Sequence, residues 1–326
     1  LRGFFLTLFI SERDVDLLVN VSEAIEVIEE ATKYQGQGLA KVIPRKRILT
    51  PSFVLNVMAA SIDPWNVTGL KAYLSTRKGT SFIVVLFDTN SSELVAIIEA
   101  DRLGQLRTGA ASGVASKYMG NKDASTVGII GAGRQARTQA IGIAEAINAD
   151  KIFVYSRTHS KAVRMVEELK EMGYNAEVVD SYSEACKSDI ISTVTNSSNP
   201  FLKPEWIKKG THINLVGSNM PSRAEAFPEA ISLASLIVTD LKEQAMVESG
   251  DLIIAVERGL LKWEHVRELW EVVLGNVKRK SKDDITIFKS NGIALWDVAL
   301  AKKIYEKAIE KGLGIKIEFK GRWEFY

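Results

Sequence analysis

Thr126-Val127-Gly128-Ile129-Ile130 is a largely apolar run that empties into Gly131-Ala132-Gly133-Arg134-Gln135-Ala136, a Gly-x-Gly-x-x-Ala turn followed at once by a helical pattern. A strand that turns into a helix in this way belongs to a parallel βαβ unit. Gly131 permits the tight turn, Gly133 lets the backbone approach a pyrophosphate, and Ala136 keeps the helix against the strand while its first N–H groups face the anion. The flanking chain supplies the rest of the unit. Gln139 to Ile147 carries an apolar face at helical spacing, and Lys151-Ile152-Phe153-Val154-Tyr155 reads as the second parallel strand. A dinucleotide is therefore expected on Gly131, Gly133, Arg134, Gln135 and Ala136.

The tip of that second strand separates the two nicotinamide cofactors. A carboxylate there binds the ribose 2′-hydroxyl, whereas an arginine accommodates a 2′-phosphate. Here the tip is Ser156-Arg157-Thr158. Two hydroxyls and a guanidinium suit a phosphate dianion, so NADP(H) is favoured. NAD(H) remains if Arg157 is only a solvated charge at a strand end.

After the glycine turn, short apolar strands alternate with helical segments at Asn175 to Val179, Asp189 to Thr195, Thr211 to Gly217 and Ser235 to Asp240. That order predicts an α/β fold, a Rossmann doubly wound parallel sheet over residues 122–295. Before it come an amphipathic helix over Asn20 to Tyr34 and extended segments around Ile43 to Leu49, Phe53 to Ala60, Thr68 to Leu74, Ser81 to Asp88 and Val95 to Ile98. These predict a separate α+β domain. Leu103 to Tyr118 reads as a helix rich in small residues leading towards the nucleotide domain. A last helix, Leu295 to Lys311, is expected to return to the first domain, making it discontinuous over 1–121 and 296–326, with a cleft between the two.

Composition excludes several classes. In 326 residues, 42 basic and 40 acidic side chains leave a net charge of +2 without any basic stripe, which argues against nucleic acid. Cys186 stands alone, so there is no disulfide framework, and His159, His212 and His265 lack metal-ligand spacing, so no metal is expected. Leu1 to Ile10 is apolar but too short to span a bilayer, and reads as a strand of a cytoplasmic protein with no membrane partner.

Few residues stand in surroundings suited to chemistry. Lys71 follows Thr68-Gly69-Leu70 in an otherwise apolar strand, where burial would lower its pKa towards the range useful for proton transfer; a strand-edge lysine reaching water is the alternative. Arg107, in Leu106-Arg107-Thr108-Gly109, begins the small-residue helix and offers a clamp for a carboxylate, or else is a surface charge. Arg45 and Arg47 share one face of a strand that is otherwise a basic edge.

Taken together and in order, Arg45-Lys46-Arg47, Met58-Ala59-Ala60, Gly69-Leu70-Lys71, Leu106-Arg107-Thr108-Gly109, the Gly131 turn, Gly217-Ser218-Asn219-Met220-Pro221 with Glu225, and Ser290-Asn291-Gly292-Ile293-Ala294 with Asp297 resemble the ornithine cyclodeaminase and mu-crystallin family. The resemblance covers nearly the whole chain. It implies a small amino or imino acid whose carboxylate is held by Arg47 and Arg107, with Arg45 as a rival for Arg47 and Lys71 as proton donor or acceptor. Met58 and Thr108 would line the substrate pocket, and Ser290 and Gly292 would approach the nicotinamide. A homodimer built through the non-Rossmann domain is implied as well.

One departure separates activities within that family. Its cyclodeaminases carry an aspartate where this chain has Asn219, and an amide cannot act as a base. Asn219 could still hydrogen-bond substrate. Net redox chemistry at the α-carbon, by an imine reductase or an alanine-type dehydrogenase, is thus expected ahead of ornithine cyclisation to proline, and ahead of a non-catalytic, crystallin-like nucleotide-binding role.

Overall fold

A computed structural model describes residues 6–319 and 321. The chain divides into two compact units, one running to Arg107 and resuming at Ile293, the other spanning Thr108–Gly292. The first boundary falls inside the long Asp101–Met119 helix. Among the described residues no helix is long and apolar enough to cross a membrane.

The first unit begins with β1 (Leu6–Ile10), the part of the expected opening strand that lies within the described residues. Two helices follow, each started by a side chain that satisfies an otherwise unpaired backbone donor. Ser11 caps Glu12–Leu18 and Asn20 caps Val21–Gly36, both in reciprocal capping boxes with the residue three positions on. Five long antiparallel strands then run β2 (Ala40–Leu49), β3 (Phe53–Ile62), β4 (Val67–Thr76), β5 (Gly79–Asp88) and β6 (Glu93–Glu99). β1 pairs with β6 in parallel, on the side of the sheet away from β2.

Alternation decides what this sheet buries. Met58, Ala60 and Ile62 on β3 and Val84 and Leu86 on β5 are buried. The cross-strand register sets Lys71 directly opposite Met58 and Val84, on that same inner face. The Ala294–Lys311 helix, the last among the described residues, packs on this face. Its fully buried Trp296 donates its indole N–H to Thr32 Oγ1 at 3.2 Å, tying it to the Val21–Gly36 helix. On the opposite face of the same strands Ile43, Ile48, Val57, Leu74 and Ile83 are exposed.

A register shift in β2 changes which of its side chains point inwards. Ile43 pairs with Ala59 and Lys46 with Val57, so Pro44 and Arg45 together oppose the single residue Met58. Proline has no N–H to give to the ladder, and a bulge is where it is tolerated. The extra residue turns Arg45 inwards, where it is 8% exposed.

The second unit is a parallel sheet, as the βαβ pattern predicts. Its strands are β7 (Thr126–Ile130), β8 (Lys151–Tyr155), β9 (Ala176–Val178), β10 (Ile190–Thr193), β11 (His212–Leu215), β12 (Leu236–Thr239), β13 (Val266–Glu268) and β14 (Thr286–Lys289). They lie in the order β13-β12-β14-β11-β10-β7-β8-β9. β8 and β9 extend the sheet to one side of β7 and the rest to the other, so the order reverses between β7 and β10. Open α/β sheets bind ligands at such a switch point, beyond the C-terminal strand ends. β14 was not expected from the sequence: it ends in a lysine, a residue type that is rarely fully buried. The Asp101–Met119 helix packs closely on the Ala136–Ile147 helix, and a Cβ on Gly142 would stand 2.4 Å from the Gly109 carbonyl oxygen. After this unit the chain returns through the Ala294–Lys311 helix to β15 (Ile315–Glu318), which pairs antiparallel with β1.

Candidate active site

At the C-terminal ends of β7, β8, β10 and β11 lies a cavity of about 420 Å³ lined by the glycine turn (Gly131, Ala132, Gly133, Arg134, Gln135), Tyr155, Ser156, Arg157 and Thr158 after β8, Thr195 and Asn196 after β10, and Gly217 after β11. Gly131 has φ +117°, and a Cβ there would meet the Val194 carbonyl oxygen at 2.5 Å, so no larger residue fits the turn. Gly133 has open space where a Cβ would stand. The turn therefore leaves room for an anion beside the start of the Ala136–Ile147 helix. Ala136 is buried against the strand and does not line the cavity. These residues fit a dinucleotide: a glycine cradle, a helix N-terminus for the pyrophosphate and three cations, Arg134, Arg157 and Lys161, for its charge. Among the described residues lining the cavity there is no carboxylate.

Lys161, Tyr182, Thr195 and Asn196 line this cavity although the sequence did not single them out as site residues. Thr195 and Asn196 could have been found, because they close the strand beside the switch point. Lys161 and Tyr182 gave no comparable signal. Ser290 and Gly292 are not among the lining residues. Ser290 N–H donates to Leu215 O at 3.1 Å, and Gly292, at φ +79°, has its carbonyl accept from the Gln244 amide at 2.9 Å.

The first unit holds a separate buried cluster. Lys71 Nζ lies 2.6 Å from Asp297 Oδ1, and Arg107 Nε donates to the same oxygen at 3.1 Å. Lys71 is 2% exposed and Asp297 is completely buried. The Phe82 ring centroid is 5.5 Å from the ammonium. Asp297 Oδ2 is also buried and accepts no hydrogen bond among the described residues. Burial is the largest influence on Lys71 and drives its pKa down; Asp297 opposes that, while Arg107 and Arg45 add to it, and the amine ends at about 8. Desolvation outweighs the carboxylate here, so a proton held on Lys71 at neutral pH leaves readily.

Lys71, Arg107, Arg45 and Met58 are thus brought together from β4, the Asp101–Met119 helix, β2 and β3. Arg47 stands two residues past the bulge residue, its Nε donating to Asn56 Oδ1 at 2.9 Å, and it is not among the charges that dominate Lys71. Thr108 is buried next along its helix, its carbonyl accepting from Gln139 Nε2 at 2.8 Å. Asn219 follows β11 in a turn in which Ser218 Oγ accepts the Met220 N–H at 3.3 Å. Asp297 received no role from the sequence beyond its place in a motif. The signal was present, since a single acid in Ala294-Leu295-Trp296-Asp297-Val298-Ala299 must be buried on a helix this apolar, and buried carboxylates are paired.

Lys71 and Arg107 share one buried carboxylate oxygen, and Arg45 is a third cation within electrostatic reach of Lys71, a setting suited to an anionic ligand. A glycine-turn dinucleotide unit and a buried lysine poised for proton transfer define a nicotinamide-dependent oxidoreductase. The sequence model of the ornithine cyclodeaminase/mu-crystallin family matches residues 6–312, and the chain belongs to that family. It is 37% identical to a Delta(1)-pyrroline-2-carboxylate reductase of Bacillus cereus over 96% of this chain and 100% of that protein. The solved structure of the Thermococcus litoralis Delta(1)-pyrroline-2-carboxylate reductase in complex with NADH and L-proline superposes with a TM-score of 0.91 at 35% identity, covering 95% of this chain and 100% of that one. An archaeal alanine dehydrogenase dimer with bound NAD gives a TM-score of 0.91 at 32% identity over 97% of this chain and 100% of that one.

Proposed function

We infer that this protein is an NAD(P)-dependent oxidoreductase that moves hydride between nicotinamide and the α-carbon of a small imino or amino acid, working as an imine reductase or an alanine-type dehydrogenase. The observation that carries the substrate class is the buried pairing of Lys71 and Arg107 with Asp297, with Arg45 within electrostatic reach of Lys71, which calls for a carboxylate beside a protonatable nitrogen. Nicotinamide, when bound, supplies or accepts the hydride.

The protein's own groups do the rest. With its Nε on Asp297, Arg107 presents the fork of its terminal nitrogens to the substrate carboxylate, and Arg45 is the better second partner than Arg47, because the bulge buries it within the electrostatic reach of Lys71. Lys71 gives its proton to the substrate nitrogen in reduction and takes it back in oxidation. Asn219 offers a hydrogen bond and no base, which supports net redox chemistry over ornithine cyclisation. The intact proton-transfer cluster speaks against a purely crystallin-like role.

The test is NADH and NADPH oxidation with a panel of cyclic imino acids and with pyruvate plus ammonia, run beside an ornithine-to-proline assay. Oxidation dependent on a carboxylated imine is expected. Proline and ammonia formed from ornithine without net oxidation would overturn the reading.

For the cofactor we favour NADP(H), supported by Ser156, Arg157, Thr158 and Lys161 lining the cavity without a carboxylate; the two solved neighbours hold NADH and NAD. Arg157→Ala is expected to lower kcat/KM for NADPH by about ten- to a hundredfold and to leave NADH within about threefold. Equal effects on both cofactors would remove the 2′-phosphate role of Arg157.

A homodimer through the first unit is supported by the exposed apolar face of Ile43, Ile48, Val57, Leu74 and Ile83. Sedimentation velocity should show one species at twice the 36.0 kDa chain mass, moving towards the monomer in Val57→Lys. A wild-type monomer would end the proposal.

A further inference from the structure

The dinucleotide unit contains a second buried charge cluster that neither proton transfer nor substrate binding uses. Glu225 is fully buried and its carboxylate accepts four hydrogen bonds. Oε1 takes the Thr195 N–H at 2.8 Å and the Thr195 hydroxyl at 2.6 Å; Oε2 takes the Gly217 N–H at 2.8 Å and the Thr193 hydroxyl at 2.7 Å. One side chain thus binds the chain beyond β10 to the chain beyond β11, and Thr195 and Gly217 both line the nucleotide cavity. The fit leaves no slack: a Cβ on Gly217 would stand 2.2 Å from Glu225 Oε1.

Each carboxylate oxygen faces a backbone N–H, so each must accept. The Thr195 hydroxyl already accepts the Ser197 N–H at 3.2 Å, which commits its own proton to Glu225. This donor pattern suits the ionised form. Behind Glu225, Asp251 Oδ1 accepts the N–H groups of Glu225 and Ala226 at 2.7 and 3.0 Å. Lys289 Nζ lies 2.9 Å from Asp251 Oδ2 and donates to Ser218 O at 2.7 Å. All three ionisable side chains are buried; burial and then Asp251 push the Glu225 carboxyl up, while Lys289 and the Thr195 and Thr193 hydroxyls oppose that, and the four donors aimed at its oxygens are the geometry that holds the ionised form.

The two ends of a dinucleotide fall on opposite sides of the switch point. The Ser156–Thr158 tip of β8 takes the adenosine end, which leaves the nicotinamide end to the β10 and β11 side, where Thr195 and Gly217 are. Oxidised nicotinamide carries a positive charge that the reduced ring lacks.

We propose that Glu225 is a positioning residue for the cofactor: it joins the Thr195 and Gly217 segments into one wall of the nucleotide cavity, and its negative charge, only partly compensated because Lys289 is shared with Asp251, favours the oxidised over the reduced nicotinamide. The inference rests on the reading of this cavity as the nucleotide site.

The experiment measures dissociation constants of NADH, by its fluorescence, and of NAD+, by competition, in wild-type protein and in Glu225→Gln. Binding of either form to the wild type first tests the nucleotide site itself, and its absence would sink that reading rather than this one. Glu225→Gln is expected to weaken NAD+ about three- to tenfold more than NADH, because a unit charge is lost from a buried position. A merely structural loss would weaken both forms alike, and an unchanged ratio of the two constants overturns the proposal. Should Glu225→Gln not fold, Asp251→Asn removes one negative charge from the same cluster, leaves Lys289 to compensate Glu225, and keeps an oxygen for the two N–H donors. The same shift in the ratio is expected there, and its absence counts equally against the proposal.

Discussion

Lys71→Ala is expected to lose about a hundred- to ten-thousand-fold in the rate of imine reduction, the range for removing a positioned general acid. NADH binding, followed by fluorescence, should change little, because Lys71 does not line the dinucleotide cavity. The two directions of the reaction should respond to pH with opposite sign. The amine of Lys71 sits at about 8, so reduction, which needs the proton on, should hold level below that pH and fall about tenfold per unit above it. Oxidation of the amino acid needs the proton off and should rise towards pH 8, then level. Undiminished turnover in Lys71→Ala, or a reduction rate that climbs through pH 8, would take Lys71 out of the mechanism.

Asp297→Asn should give the second large effect, by a different route. Asp297 is the opposite charge acting on a lysine that burial, Arg107 and Arg45 all push towards neutrality. Asparagine keeps an oxygen for the 2.6 Å contact but removes the charge. The basic limb of the reduction profile is then expected to move to lower pH by about one unit or more, so that at pH 8 reduction falls about tenfold or more below wild type while at pH 6 much of the rate returns. A defect in folding alone would lower the whole profile without moving its limb. Breaking a buried ion pair costs about 3–5 kcal/mol, so a thermal melt should accompany the kinetics. An unmoved limb would reduce Asp297 to a structural partner.

The parts of the fold written in local spacing were legible. β7, its glycine turn and the following helix could be read from a few adjacent residues, because strand period, turn stereochemistry and helical period are properties of neighbours along the chain. The long antiparallel strands of the first unit showed through in the same way. β14 did not, since its last residue is a lysine, which a sequence reading places at the surface. Lys71 and Arg107 were singled out by unusual surroundings, a lysine in an apolar strand and an arginine read as opening a helix of small residues, although that helix begins at Asp101 and Arg107 lies within it. Their partner was not, because Asp297 lies 226 residues beyond Lys71.

The choice between Arg45 and Arg47 shows the same division at finer scale. Alternation places both on one face and goes no further. The bulge beside Pro44, visible only once β2 is paired to β3, is what buries Arg45 opposite Met58. The sequence by itself determined that this chain contains a dinucleotide-binding βαβ unit and where its phosphate turn lies, because those features depend on contacts a few residues apart. Only the tertiary structure decided which carboxylate faces Lys71, which arginine is the more deeply buried, and that Glu225 joins two strand ends beneath the nucleotide cavity. Each of those comes from the pairing of distant segments, where sheet register and the cost of burying an unpaired charge select the partners.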